Sequence, residues 1–204
     1  GSQSEFQALG FRAALGIERV RIFDIDPDAM EKFRRNIEPL GIEVYMAASV
    51  EDALEGADII TTCTADKAQN TILDYSLVRP GVHINGVGGD CPGKTELDAR
   101  ILDDATVFVE FPPQTRIEGE IQNKDDDFEV VELWKVIAGK HAGRTSDEEI
   151  TLFDSVGFAI EDFSALRYLR DSVAGTEFEE FIDLVADPED PKDLFSLTTN
   201  VLSP

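Results

Sequence analysis

Apolar and polar positions alternate along this chain in a regular order. The opening stretch is helix-like. It puts Phe6, Gly10 and Ala13 or Ala14 on one face, with small residues that would allow close packing on a sheet. Residues 19–24 read as a strand ending in an acid. Pro27 suits the first turn of the next helix, and Ala29, Phe33 and Ile37 recur at four-residue spacing until Leu40-Gly41 closes it. Residues 42–47 form a second strand. Ser49, with Asp52 three positions later, resembles a capping box opening a short helix. Residues 57–62, centred on Ile59 and Ile60, make a third strand that runs into Cys63-Thr64-Ala65-Asp66-Lys67. Residues 82–87, 106–109 and 150–154 add further strands, the last followed at once by Ser155, Val156 and Gly157. Helices are expected near 96–102, 113–121 and 130–139, the last carrying Trp134 in an apolar stripe with Val130, Val131 and Ile137. From Ala159 a long helical pattern turns Ile160, Phe163, Leu166 and Leu169 inward. Asp187-Pro188-Glu189-Asp190-Pro191 breaks it, and residues 193–204 have no clear period. The β-α-β-α-β order with short connections is half of a nucleotide-binding sheet. The expected fold is therefore α/β and Rossmann-like: a doubly wound, mostly parallel sheet with helices on both faces.

Composition narrows the function classes. At 42% hydrophobic over 204 residues the chain can bury a sizeable core, which excludes overall disorder. No apolar run reaches the roughly 18–20 residues of a membrane span, and the start has no signal-peptide pattern, so the expectation is a cytoplasmic protein without a membrane partner. Two cysteines, Cys63 and Cys91, and two histidines make neither a disulfide framework nor a zinc site. The formal charge of −24 argues against nucleic acid as a partner, which would want a basic face. It would draw cationic partners, a diamino acid among them, though diffusely; a solubilising surface or adaptation to high salt is the plainer reading.

Candidate chemistry concentrates where the strand at 82–87 ends. Gly86, Gly88, Gly89 and Gly93 punctuate a turn that presents Asp90 and Lys94 four residues apart. Ligands of open parallel sheets sit at the carboxyl ends of strands, and glycines let backbone approach them. A tight surface turn with solvated charges is the alternative. The Gly-x-Gly-x-x-Gly signature is weak here, with only Gly1 in place. Asp24 is a better signal: a carboxylate ending that strand can accept hydrogen bonds from an adenosine ribose 2′-OH, and no arginine lies between it and Asp26, which favours NAD over NADP. Ser2 otherwise reads as a helix cap. Cys91 reads as packing, since no histidine stands near it in sequence. His83 reads as a satisfied core histidine, and His141 sits in a loop without an identified partner. Asp125-Asp126-Asp127 reads as solvated loop, and Arg116 and Glu118 could pair on a helix or support a dimer.

Longer motifs add to this. Gly88-Gly89-Asp90-Cys91-Pro92-Gly93-Lys94-Thr95-Glu96-Leu97 closely resembles the ornithine cyclodeaminase/mu-crystallin family, in its cyclodeaminase branch. So do Phe111-Pro112-Pro113-Gln114-Thr115-Arg116-Ile117-Glu118-Gly119-Glu120, Thr151-Leu152-Phe153-Asp154-Ser155-Val156-Gly157 and Ile160-Glu161-Asp162-Phe163-Ser164-Ala165-Leu166-Arg167. The likeness covers nearly the whole chain. It implies that Gly1 is the second glycine of a Gly-x-Gly-Ser-Gln-Ser-Glu-Phe motif and that the first strand of the nucleotide fold precedes it. Residues 1–180 would be an NAD-binding domain, and 181–204 a segment returning to an N-terminal substrate and dimerisation domain. The protein would be a homodimer, and this stretch alone inactive. The implied reaction converts L-ornithine to L-proline and ammonia: hydride passes from the α-carbon to NAD, the side-chain amine closes the ring, ammonia departs, and hydride returns.

By the same resemblance Asp90 is the catalytic acid/base and also touches substrate and cofactor. Val87, Gly88 and Gly89 bring backbone against NAD. Lys94 and Thr64 contact its polar groups, Ser155 its nicotinamide end, Ser2 and Gln3 its pyrophosphate, and Asp24 its ribose. Val156 lines the substrate. A related amino-acid dehydrogenase or ketimine reductase, or a non-catalytic crystallin-like binding protein, are the alternatives on the same scaffold.

Overall fold

The computed structural model describes residues 2–65 and 70–182. The chain divides into two compact units, one ending at Phe158 and the other starting at Ala159.

In the first unit α1 (Ser4–Leu15) leads to β1 (Arg19–Ile22), α2 (Pro27–Ile37), β2 (Glu43–Met46) and α3 (Val50–Leu54). Local chemistry fixes these starts. Asp26 accepts the Asp28 N–H at 2.9 Å with Pro27 in the first turn of α2. Ser49 accepts the Asp52 N–H at 3.2 Å, while Asp52 reaches back to the Ala48 N–H at 2.8 Å. Next come β3 (Ile59–Thr62), β4 (His83–Gly86), α4 (Arg100–Asp104), β5 (Ala105–Val109), α5 (Pro112–Glu118), β6 (Val131–Glu132), α6 (Leu133–Ile137) and β7 (Ile150–Asp154).

All strand pairs are parallel, as expected. Five strands form one sheet in the order β3-β4-β7-β5-β6, and β1 and β2 form a second. The pairing register puts Thr62, Gly86, Asp154, Val109 and Glu132 in one row across the five-stranded sheet, so its carboxyl ends are level. The core gathers Ile84 and Leu152 from the central strands, Val107 and Val109 beside them, and Ile101 and Leu102 from α4. A smaller cluster joins Ala8, Phe33, Ile37 and Ile42 beside the β1-β2 pair.

Several expectations are corrected. The strands read as one sheet are two, and between β1 and β3 runs a groove of about 820 Å³. The face of α1 that carries Phe6, Gly10, Ala13 and Ala14 is exposed, and nothing approaches Gly10; α1 packs through Ala8 instead. The helix expected over 130–139 begins with β6, paired to β5 at Phe108 and Val109, and its supposed core stripe is exposed at Trp134 and Ile137. Trp134 is held on the surface by an indole N–H donated to Glu132 and by the Lys135 and Lys140 ammonium groups against its ring. Residues 94–97 are a buried loop rather than the start of α4. In the helix expected to reach residue 121, Gly119 interrupts α5 before a separate 3₁₀ turn, Glu120–Asn123.

The second unit contains α7 (Ala159–Val173), on which Ile160, Phe163, Leu166 and Leu169 are exposed rather than turned inward. The acidic proline-rich break and the tail at 193–204 lie outside the described residues. Among the described residues no helix is long and apolar enough to cross a membrane.

Candidate functional site

A cleft of about 480 Å³ opens above the level ends of β3 and β4. Cys63 and Thr64, the first residues after β3, form one wall. Val87 and Gly88, the first after β4, form the floor, with Asp90, Cys91 and Lys94 beyond them. Ser2 and Gln3, at the start of α1, close the side. The sequence thus brings together seven predicted site residues: Ser2, Gln3, Thr64, Val87, Gly88, Asp90 and Lys94. The Gln3 side chain itself caps no N–H of α1.

Lys94 is the unusual member. Its side chain is only 5% exposed, and its ammonium donates to the Thr64 carbonyl at 3.2 Å and to Asp90 Oδ1 at 3.1 Å. A buried ammonium survives only with hydrogen-bond acceptors around it, so the fold spends energy to keep a positive charge at this point. Asp90 is 59% exposed and stands at the mouth, able to reach both Lys94 and anything entering the cleft.

Beneath the loop lies a layer of buried carboxylates that hydropathy marks as surface. Glu96 accepts the Thr64 N–H at 3.0 Å and the Thr64 hydroxyl, and its carboxylate occupies the space a Cβ on Gly88 would need, 1.9 Å from Oε2. Glu120 accepts the Glu96 and Leu97 N–H groups at 2.8 and 3.1 Å. Asp154, ending β7, accepts the Glu120 and Ile121 N–H groups, both at 2.9 Å. Burial pushes Glu120 up to about 8 and Asp154 up to about 7, against the pull of those N–H groups. Among the described residues the second oxygens of Glu96 and Glu110 are buried without a hydrogen-bond partner. The one sequence cue to this layer is Asp154, an acid closing the apolar run Ile150–Asp154.

Other candidates sit elsewhere. Gly89 lies over Glu120, where a Cβ would come 2.9 Å from Oε1. Asp24 is half-buried on the groove between β1 and β3 and accepts the Asp26 N–H at 2.9 Å. Ser155 follows β7 as Val87 follows β4; its hydroxyl donates to Glu110 at 2.6 Å, and Val156 beside it is half-buried. Cys91 lines the cleft half-buried, and burial pushes the Cys63 thiol up, away from thiolate reactivity. His83 bonds Thr151 at 2.8 Å and is held neutral by burial, as a core histidine should be. His141 does have partners, the Gly143 N–H and an edge contact with Phe108. Arg116 donates to the carbonyls of Asp125 and Phe128 and Glu118 accepts from Gln114, so the two do not pair with each other. Asp125, Asp126 and Asp127 are exposed, and among the described residues no three His, Cys, Asp or Glu are arranged to hold a metal.

A parallel sheet with level carboxyl ends, and a glycine-floored cleft above two of them, defines a Rossmann-like α/β protein. The chain belongs to the ornithine cyclodeaminase/mu-crystallin family, whose model matches residues 1–177. It is 59% identical to the ornithine cyclodeaminase of Agrobacterium fabrum across 97% of this chain and 56% of that protein. Among solved structures, a lysine cyclodeaminase described as recognising L-lysine, L-ornithine and L-2,4-diaminobutyric acid superposes with a TM-score of 0.83 at 31% identity, over 97% of this chain and 57% of that one. An archaeal alanine dehydrogenase dimer with bound NAD gives 0.81 at 31%, over 91% and 58%. The chain thus spans little more than half the length of the proteins it matches.

Proposed function

We propose that the protein containing this chain is an ornithine cyclodeaminase that converts L-ornithine to L-proline and ammonia with NAD. The carrying observation is the 59% identity to a cyclodeaminase across a stretch that includes the whole Asp90–Lys94 loop. The donor set suits a dinucleotide. A buried ammonium, the Thr64 wall, a glycine floor and a helix start favour phosphates and polar ring groups. Bound NAD would supply the hydride acceptor at the α-carbon and return the same hydride, so that none is consumed.

This chain's residues handle the rest. Asp90, exposed at the mouth, takes and returns the protons that amine oxidation and ring closure release and holds a cationic amine meanwhile. Lys94 and Thr64 bind the cofactor's polar groups, with Val87, Gly88 and Gly89 bringing backbone against it. Ser2 and Gln3 cover the pyrophosphate and Asp24 the ribose. Ser155, kept in orientation by Glu110, meets the nicotinamide end, and Val156 lines the substrate. Residues 1–180 serve as the NAD-binding domain and 181–204 as the segment leading to a substrate and dimerisation domain, giving a cytoplasmic homodimer. The charge of −24 favours a diamino acid over an anionic substrate.

The test uses the protein at the full length of its relatives, given ornithine and sub-stoichiometric NAD, with proline and ammonia assayed. More than one proline per NAD is expected. NADH appearing in step with a keto acid would make the protein a dehydrogenase instead.

A further inference from the structure

We propose that Glu120 and Gln122, on the 3₁₀ turn after α5, are positioning residues that set the loop carrying Asp90 and Lys94. The inference rests on the reading of that loop as the reacting site. The loop leaves β4 at Gly86 and re-enters the core at Glu96 and Leu97, and Glu120 meets it at both ends. Its two oxygens accept the Glu96 N–H at 2.8 Å and the Leu97 N–H at 3.1 Å. At the other end a Cβ on Gly89 would come 2.9 Å from Oε1, so the carboxylate is packed against the residue preceding Asp90. One fully buried side chain thus fixes how far apart the two arms stand.

Gln122 braces the middle of the loop. Its Oε1 accepts the Gly93 N–H at 2.6 Å and its Nε2 donates to the Lys94 carbonyl at 3.1 Å. The turn itself is fixed from the sheet, because Asp154 accepts the Glu120 and Ile121 N–H groups at 2.9 Å. A continuous run of hydrogen bonds therefore connects the end of β7 to the backbone on both sides of Lys94. Asp154 and Glu120 have no solvent exposure. Packing alone would be served better by an apolar side chain than by a buried carboxylate. A fixed acceptor pair is warranted where loop geometry must hold within a fraction of an ångström, as proton transfer demands.

The test compares Glu120→Gln, which offers one acceptor to two N–H groups, with Ile101→Val, a core substitution in α4 that removes none of the loop's hydrogen bonds. Both are made in the protein at its relatives' full length. Amide hydrogen exchange over residues 87–97, ornithine turnover and NAD affinity are measured at about pH 9, where Glu120, raised to about 8, is ionised and both its oxygens accept. Exchange in Glu120→Gln should run about tenfold or more above the control. Its kcat should fall about tenfold or more, with KM and NAD affinity within about threefold. Gln122→Ala, which leaves the buried carboxylates in place, should show the same pattern at a smaller amplitude and covers the case in which Glu120→Gln does not fold. Exchange no faster than in the control, or a kcat loss no larger, overturns the proposal. The exchange measurement needs no substrate. If the unsubstituted protein fails to turn over ornithine, the functional reading falls while exchange still decides whether this turn sets the loop.

Discussion

Lys94 Nζ stands 3.1 Å from Asp90 Oδ1, yet the lysine side chain is 5% exposed and the aspartate side chain 59%. The two charges form a pair that straddles the solvent boundary. The ammonium is locked in the protein by Asp90 and the Thr64 carbonyl, while the carboxylate keeps most of its surface in the cleft. A group proposed to exchange protons with a substrate needs that access.

Asp90→Asn removes the proton acceptor while keeping shape. Turnover of ornithine should fall by about 10²–10⁴-fold. NAD affinity should stay within about threefold, since Lys94 retains the Thr64 carbonyl and the amide oxygen. Because the aspartate is the exposed member, unfolding stability should change by only about 1 kcal/mol or less. Steady-state kinetics and a dinucleotide titration check the split. Undiminished turnover would remove Asp90 from the chemistry.

Lys94→Met separates charge from packing. The methionine fills the volume of the lysine stem, and the Asp90 carboxylate it leaves unpaired is 59% exposed and so not a stranded buried charge. The melting temperature should hold, while NAD binds about tenfold more weakly or worse for want of the cation. Calorimetric titration beside a thermal melt decides it; unchanged affinity would place the cofactor elsewhere.

The strands were legible because buried parallel strands leave runs such as Ile59-Ile60 that no surface helix would carry. The cleft was legible in part, because glycines at 86, 88 and 89 cluster where a strand stops. Other features left no trace in hydropathy. β6 is two residues long and runs straight into α6, so Val131 looked like part of a helical stripe. The four-residue spacing on α7 named a face without saying what covers it. The separation of β1-β2 from the larger sheet follows from which edges pair, and strand composition does not encode that. The carboxylate layer was invisible because Glu96, Glu110 and Glu120 count as surface residues in any pattern. Their hydrogen-bond partners, main-chain N–H groups and the Thr64 and Ser155 hydroxyls, explain why they lie inside.

Gly88→Ala tests the seat between cleft and carboxylate layer. The new Cβ would lie 1.9 Å from Glu96 Oε2, and Glu96 cannot swing away without releasing the Thr64 N–H and hydroxyl. The overpacking should cost about 1–3 kcal/mol in chemical denaturation. Gly93→Ala meets no neighbouring atom, but its φ of +81° strains it for a different reason, so it makes a useful contrast: loss of stability without displacement of Glu96. A neutral Gly88→Ala would mean that the floor is not packed as described.

The carboxylate layer also sets a pH dependence with a definite sign. Glu120 and Asp154 are raised by burial to about 8 and about 7, whereas in the unfolded chain they titrate near their ordinary values of 4.5 and 3.8. Between those limits the folded state binds more protons than the unfolded one, so unfolding stability falls as pH rises. Glu149, held low by Thr106 and Thr145, works in the opposite sense and loses its contribution only in acid. Denaturation midpoints should therefore fall from about pH 5.5 to 8.5. The growing self-repulsion of so acidic a chain pushes the same way, so the midpoint alone does not isolate the layer. Glu120→Gln does isolate it: the glutamine cannot titrate, and the difference between variant and unsubstituted protein should change across pH 6–8 as the native Glu120 ionises. A difference that stays constant over that range would show that Glu120 keeps one protonation state in both folded and unfolded chains.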